Sequence, residues 1–309
     1  MFNNLTYYSQ NFEDVILARC FANVTAGFYI DVGAQQEEAD SVTRFFYERG
    51  WSGINIEPVV EFADTFSCRD RDTTICCAAG SKEVIAPMSV SVSSGLSTFG
   101  ELDLERESTN NAFNERNIQV RRLNSILEQL GIENKFFEFL KIDVEGSELD
   151  VLMGIDLFRY RPQIILCEVT KVNSMELVAD IAEIYLKIES YNYEKVYFDG
   201  LNQWWCAIES KTDLIQHFKL PPCIFDSLLI SPYSGTIARK QIFEINQNLN
   251  SVNQELNSVT QELNSVNQEL SSVTQELTLV KQELYEILAG RTWRILKFLR
   301  FFKSMNDKT

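Results

Sequence analysis

The sequence predicts an α/β protein with a mostly parallel sheet, helices on both faces, an antiparallel hairpin at the end of the sheet and a coiled coil after it. Apolar runs alternate with helical spacings over residues 1–235, a pattern typical of parallel sheets. Two further runs, at residues 193–198 and 203–208, flank a short turn and indicate the hairpin. A strict seven-residue repeat over residues 246–288 indicates the coiled coil.

Charge and composition narrow the class of protein. The 309 residues carry a formal net charge of -16, whereas nucleic-acid binding needs a basic face, so we expect no nucleic-acid partner. Basic residues concentrate in residues 289–309, where six Lys or Arg face one acid. We therefore expect three parts: a globular domain over residues 1–235, the coil over residues 246–288, and a basic aromatic tail.

The cysteines and the N-terminal residues bear on the compartment. Seven cysteines, an odd number without zinc-ligand spacing, favour a reducing environment. Residues 1–10 lack the basic and apolar stretches of a signal peptide, and no apolar run approaches the ~18 residues of a membrane span. We expect a cytoplasmic chain.

Five apolar runs predict the parallel strands, at residues 28–33, 53–58, 74–79, 137–144 and 163–168. Helical spacings separate them, at residues 40–49, 59–68, 148–153 and 175–188. Ligands of an open α/β sheet bind beyond the carboxyl ends of its strands, and four of these five strands end in a carboxylate. The candidate site residues are therefore Asp31, Gly33, Glu57, Asp143, Glu145 and Glu168.

Each candidate has a functional and a structural interpretation. Glu57 follows Gly33 by 24 residues and can accept both ribose hydroxyls of an adenosine ligand; alternatively it is a solvated acid before Pro58. Gly33 permits close approach of the backbone to a ligand. Asp143 and Glu145 lie in a tight turn, where they orient a ligand or substrate, or only precede a helix.

The single histidine, His217, lies beyond the last strand, and we expect it at the surface. One histidine disfavours both a histidine-based nucleophilic triad and a histidine-rich metal site. We therefore expect no metal, and a carboxylate as any general base.

Six stretches together form a recognisable set of motifs. They are Ser-Gln-Asn-Phe-Glu-Asp-Val-Ile-Leu at residues 9–17, Tyr-Ile-Asp-Val-Gly-Ala at 29–34, Asp-Ser-Val-Thr at 40–43, Phe-Tyr-Glu-Arg-Gly-Trp at 46–51, Gly-Ile-Asn-Ile-Glu-Pro at 53–58 and Phe-Leu-Lys-Ile-Asp-Val-Glu-Gly at 139–146. This set resembles the FkbM family of methyltransferases. Stretches at 94–98, 161–162 and 197–202 resemble its bacterial branch associated with surface-glycan synthesis.

The resemblance implies a class I methyltransferase fold, which is Rossmann-like, with S-adenosylmethionine as the methyl donor and a hydroxyl as the acceptor. It implies that the cofactor pocket is lined by Asp31, Gly33, Glu57 and Asp143. For the catalytic carboxylate our candidates are Glu145 and Glu168, and the acceptor we expect is a sugar hydroxyl of a surface polysaccharide or its precursor.

One segment departs from the family pattern. After residues 33–34 this branch has a short turn such as Asn-Asp-Pro, whereas here residues 35–37 are Gln-Gln-Glu. The alternative function is therefore a degenerate methyltransferase-fold scaffold that organises a glycan-assembly complex through its coil and tail. A nicotinamide oxidoreductase is disfavoured by the terminal hairpin and the single-glycine turn.

The repeat places leucine and valine at alternating steps of three and four from Leu249 to Ile287. Leucine at position a with a β-branched residue at d favours more than two strands, so we expect a trimer or tetramer through residues 249–287. Glutamate recurs at position g beside a mostly neutral position e, which favours parallel packing. Arginines follow on the seam, so the coil should end near Gly290.

The tail mixes aromatic and aliphatic residues with bases over residues 289–303. This composition suits peripheral contact with a membrane surface, at the inner face of the membrane for a cytoplasmic chain. A helix that binds a protein partner is the alternative.

Overall fold

The structure is a computed structural model that describes residues 5–91, 97–99, 114–132, 135–171, 174–226, 228–231 and 235–306. Of the motif at residues 94–98, only Ser97 and Thr98 fall within the described residues. The last three residues of the basic tail also lie outside them. The chain divides into two compact units, Met1–Lys240 and Gln241–Thr309.

The first unit contains all the described strands. In chain order they are β1 (Leu5–Tyr7), β2 (Phe28–Val32), β3 (Ser52–Ile56), β4 (Thr73–Ile75), β5 (Ala78–Gly80), β6 (Val84–Val90), β7 (Asn114–Arg122), β8 (Phe136–Ile142), β9 (Arg161–Glu168), β10 (Tyr193–Phe198), β11 (Asn202–Ala207) and β12 (Leu228–Ile230). The α-helices among the described residues are α1 (Glu13–Cys20), α2 (Arg44–Tyr47), α3 (Val60–Ala63), α4 (Leu123–Gln129), α5 (Glu148–Met153), α6 (Ile181–Glu189), α7 (Lys211–Leu214) and α8 (Gly235–Asn306).

A seven-stranded sheet organises the first unit, in the order β10-β11-β9-β8-β2-β3-β4. The strands from β9 to β4 in this order pair in parallel. The two strands of this sheet that come last in the sequence, β10 and β11, pair antiparallel at one edge. The mixed α/β fold and its terminal hairpin agree with the prediction and are compatible with a methyltransferase fold. A three-stranded sheet, β5-β7-β6, and a parallel pair, β1-β12, complete the described strands.

The core lies on both faces of the main sheet because successive side chains of a strand point to opposite faces. Ile30 and Leu140 pack on one face with the buried side chains of α4, α5 and α6. Tyr29 and Phe139 pack on the other face with those of α1 and α2, their rings stacked 5.6 Å apart.

The predicted third strand, residues 74–79, is divided in two. The Cys77 N–H donates to the Ile75 carbonyl at 3.0 Å, a three-residue turn that ends β4 in the main sheet and starts β5 in the small one. The predicted helix at residues 175–188 begins only at Ile181, because the preceding segment folds back on itself. There Lys171 N–H bonds the Glu176 carbonyl and Val178 N–H bonds the Val169 carbonyl.

The second unit is part of one long helix, α8, which contains the predicted coil and continues through Gly290 to Asn306. The coil itself stays a prediction, since it requires further copies of the chain. Within the part of the chain that the structure describes, no helix combines the length and apolarity that crossing a bilayer requires.

Candidate functional site

A cavity of about 420 Å³ lies where the central parallel strands end. This volume falls within the range of small-molecule sites. The structure brings all the candidate residues to its wall: Asp31, Gly33, Glu57, Asp143, Glu145 and Glu168. They converge because β2, β3, β8 and β9 are parallel, so their carboxyl ends share one edge of the sheet.

The turn after β2 requires glycine. Gly33 has φ of +83°, and a Cβ there would lie 1.7 Å from the carbonyl oxygen of Asp143. Its N–H donates to the Ile56 carbonyl at 2.9 Å, which ties the turn to β3. The turn at Gly33 is therefore packed closely against the backbone that follows β8 and is tied to the end of β3.

Glu57 follows β3 and is held from two directions. Its Oε2 accepts a hydrogen bond from Gln35 N–H at 2.9 Å, and its Oε1 accepts one from Val59 N–H at 2.8 Å. The side chain is 5% exposed, and burial raises the pKa of Glu57 to about 7. A carboxylate offers about four acceptor positions, so about two remain for a ligand.

The segment that departs from the family pattern is anchored to this wall. Gln35 adopts a left-handed backbone conformation, with φ of 53°, and its N–H thereby reaches Glu57. Glu37 N–H donates to Thr65 Oγ1 at 3.1 Å, and the Glu37 carboxylate pairs with Arg44. Gln35 therefore supports the carboxylate of Glu57, and Glu37 ties the same segment to Thr65 and Arg44.

A buried lysine that the sequence did not single out lies at the centre of the site. Lys141 Nζ lies 3.3 Å from Asp31 Oδ1 and 3.1 Å from Asp143 Oδ2, and it donates to the Gly33 carbonyl at 3.2 Å. Burial opposes the charge, but the two carboxylates raise the pKa of Lys141 above its usual value. One sequence feature could have identified Lys141 as a site residue: it is a lysine inside an apolar strand, two residues before an acid.

Three carboxylates gather at the ends of β8 and β9. Oxygens of Asp143, Glu145 and Glu168 all lie within 4.8 Å of one another, a grouping with the spacing of a cation site. Burial and the neighbouring Asp143 raise the pKa of Glu168 to about 12. Burial alone would raise the pKa of Asp143, but Lys141 and a hydrogen bond with Glu168 keep it below its usual range. Burial and the neighbouring carboxylate therefore favour the protonated form of Glu168, which can donate to Asp143.

Two stretches without an assigned role, residues 9–17 and 197–202, meet beside the cavity. Asn202 Nδ2 donates to Glu13 Oε1 at 3.0 Å across 189 positions of the chain. Gln10 from the first stretch and Leu201 from the second both line the cavity. His217 is half-buried and does not line it.

The strand order, the glycine turn and the carboxylates at the strand ends define an α/β protein with a cavity of ligand size at the carboxyl edge of its sheet. Residues 31–195, more than half of the chain, match the family model described as Methyltransferase FkbM domain. The chain belongs to this family, as the resemblance predicted, and the domain indicates methyltransferase activity. The matched span contains all six candidate residues. No curated protein matches the chain.

Proposed function

We propose that the chain is an S-adenosylmethionine-dependent O-methyltransferase of class I, Rossmann-like architecture. The observation that carries the proposal is the immobilised carboxylate of Glu57, which keeps about two acceptor positions beside the Gly33 turn. Two ribose hydroxyls are the matching donors. Asp31, Gly33 and Asp143 complete the cofactor wall.

The electrostatics of the site fit a cationic donor. A bound S-adenosylmethionine supplies a methyl group on a positively charged sulfonium. Lys141 offsets Asp31 and part of the charge of Asp143, and Glu145 adds a further carboxylate at the strand ends. These groups would hold the donor's methionine portion and orient its methyl group towards the acceptor.

Of the two catalytic candidates, Glu145 is the better base. A general base must be unprotonated before the reaction, whereas burial and the neighbouring Asp143 favour the protonated form of Glu168. We assign Glu145, on the cavity wall, to removal of the acceptor hydroxyl proton. Glu168 would position Asp143 through a hydrogen bond between the two side chains.

The acceptor side of the cavity is polar, with Gln10, Thr170 and Lys171 on its wall. Such groups suit a polyhydroxyl compound, and we propose a sugar hydroxyl of a surface polysaccharide or its precursor. Mass spectrometry of surface glycans from a deletion strain should show the loss of one O-methyl group. An unchanged methylation pattern would contradict the glycan acceptor without bearing on cofactor binding.

Calorimetry with S-adenosylmethionine tests the cofactor assignment. Glu57→Ala removes both acceptors and should weaken binding at least tenfold, about 1.4 kcal/mol, and Glu57→Gln should lie between. Asp64→Ala, an exposed acid on the next turn, is the matched control and should bind as the wild type does. Equal binding by Glu57→Ala would show that the ribose lies elsewhere.

The scaffold function is the alternative, and the same titration discriminates it. If the wild-type chain does not bind millimolar S-adenosylmethionine, residues 35–37 have disabled the pocket and the scaffold function takes precedence. The anchoring of Gln35 to Glu57 supports a working pocket instead.

We also propose that residues 249–287 assemble the chain as a parallel trimer or tetramer. The tail, residues 289–303, would place this cytoplasmic assembly at the inner membrane face by weak, reversible contact with anionic lipid. Trp293, Ile295 and Leu296 are each more than half exposed, as such contact requires.

A further inference from the structure

The apolar stripe of α8, at positions a and d of the repeat, is not buried by other described residues of the same chain. Its members are each between 52% and 62% exposed: Leu249, Val252, Leu256, Val259, Leu263, Val266, Leu270, Val273, Leu277, Val280, Leu284 and Ile287. Steps of three and four residues match a second copy of the same stripe, with glutamate at every g position and no acid at e. A further copy of the chain is therefore the occupant of this face.

The helix does not end with the repeat. It runs through Gly290, so the same register continues and places Arg291 at position a and Arg294 at position d. One heptad later Phe298 and Phe301 occupy the same two positions. The sequence predicts that the coil ends near Gly290, whereas the unbroken helix allows the seam to continue, with two arginine layers between apolar positions on either side.

The arginine layers have no acidic neighbour along the seam. The five heptads of residues 249–283 each end in a glutamate at g, whereas the e and g positions around the arginines are Leu288, Gly290, Ile295 and Lys297. Among the described residues neither arginine forms an ion pair within the chain. In a parallel assembly every copy adds two more guanidinium groups to the same short length of seam, and their repulsion needs an external anion.

The guanidinium groups of Arg291 and Arg294 indicate which kind of anion would bind between them. Guanidinium groups present paired N–H donors that match phosphate oxygens, and several of them around one axis surround a tetrahedral anion. Gly290 has no side chain, and the space beside it is open, so an anion can enter next to Arg291.

We propose that Arg291 and Arg294 of neighbouring copies form a phosphate-binding site on the seam of α8. Its ligand is a phosphate group carried by free phosphate or by the headgroup of an anionic phospholipid. The site rests on the proposed assembly and not on methyl transfer, so its failure leaves the cofactor assignment intact.

Calorimetric titration of the full chain with inorganic phosphate, at constant ionic strength, tests the free-phosphate source. We expect one phosphate per oligomer and at least tenfold weaker binding by the double variant Arg291→Gln/Arg294→Gln. The matched control, Arg300→Gln/Lys303→Gln, removes the same charge from outward positions c and f and should bind as the wild type does.

Flotation with phosphatidylglycerol vesicles tests the lipid source, with phosphatidylcholine vesicles as the reference. A headgroup ligand on the seam requires that the Arg291→Gln/Arg294→Gln chain loses more of its flotation than the Arg300→Gln/Lys303→Gln chain, which lowers the charge of the tail by the same amount. In either case a monomeric chain must lose the site. The double variant Leu263→Asp/Leu270→Asp provides such a monomer. Binding of phosphate or anionic vesicles by that monomer at wild-type strength would overturn the proposal. So would equal behaviour of the two charge variants in both assays.

Discussion

The two units of the molecule place their apolar side chains in opposite situations. In the first unit Tyr29, Phe139 and Trp204 are fully buried by residues of the same chain. In α8 every apolar residue of the seam is more than half exposed. We therefore expect the first unit to be stable as a single chain, whereas the proposed assembly would make the order of α8 depend on the concentration of other copies. Mutations should separate these two kinds of stability.

The largest expected effect comes from removing the buried ammonium of the first unit. Lys141→Met leaves the carboxylates of Asp31 and Asp143 without their cation, and should lower the free energy of unfolding by about 3–5 kcal/mol. Denaturant unfolding monitored by tryptophan fluorescence measures this change.

Lys195→Met is the matched control because its ion pair with Glu189 is exposed to solvent. It should change the free energy of unfolding by less than about 1 kcal/mol. Equal effects of the two lysine substitutions would contradict the central role of Lys141. Neither should alter the assembly of α8.

An intermediate effect is expected on assembly. Leu263→Asp puts a charge on the seam and should cost about 2–3 kcal/mol for each copy, because a leucine no longer becomes buried. Sedimentation equilibrium should show three or four copies for the wild type and a strong shift to monomer for the variant. Ser265→Asp, at an outward position of the same heptad, should assemble normally, and the fluorescence-detected unfolding of the first unit should be unchanged by either substitution. A wild-type monomer or dimer would contradict the predicted stoichiometry.

The smallest effect concerns pH. Burial raises the pKa of Glu57 to about 7, and the ionised form is the one that accepts two ribose hydroxyls. Affinity for S-adenosylmethionine should therefore rise about tenfold between pH 6 and pH 8 and then level off. Glu57→Gln cannot ionise, so its titrations should show a flatter profile. A wild-type profile that falls with pH would contradict the assignment.

Local sequence was sufficient to place the wall of the site. Asp31, Glu57, Asp143 and Glu168 could be grouped because apolar runs mark strands and parallel strands end at one edge. The family resemblance extended the same grouping to a cofactor. The roles of these residues stay predictions until binding is measured.

Other parts depend on contacts that local sequence does not encode. Lys141 reaches Asp31 because β8 pairs with β2 in a register that sets these two residues side by side, 110 positions apart in the chain. The division of the third strand depends on a single turn at Cys77, and an apolar run does not show such a turn. The predicted start of a helix at Met175 was also wrong. The spacing there is helical, but the segment folds back and Met175 is almost fully exposed.

The pairing of β1 with β12 has a consequence for biosynthesis. Leu5 lies beside Leu228, so β1 waits during synthesis for nearly all of the first unit before it finds its partner. Only after that point does α8, with its uncovered stripe, leave the ribosome. In the proposed assembly, this order of elements would let each nascent chain complete its own fold before its α8 pairs with that of another chain.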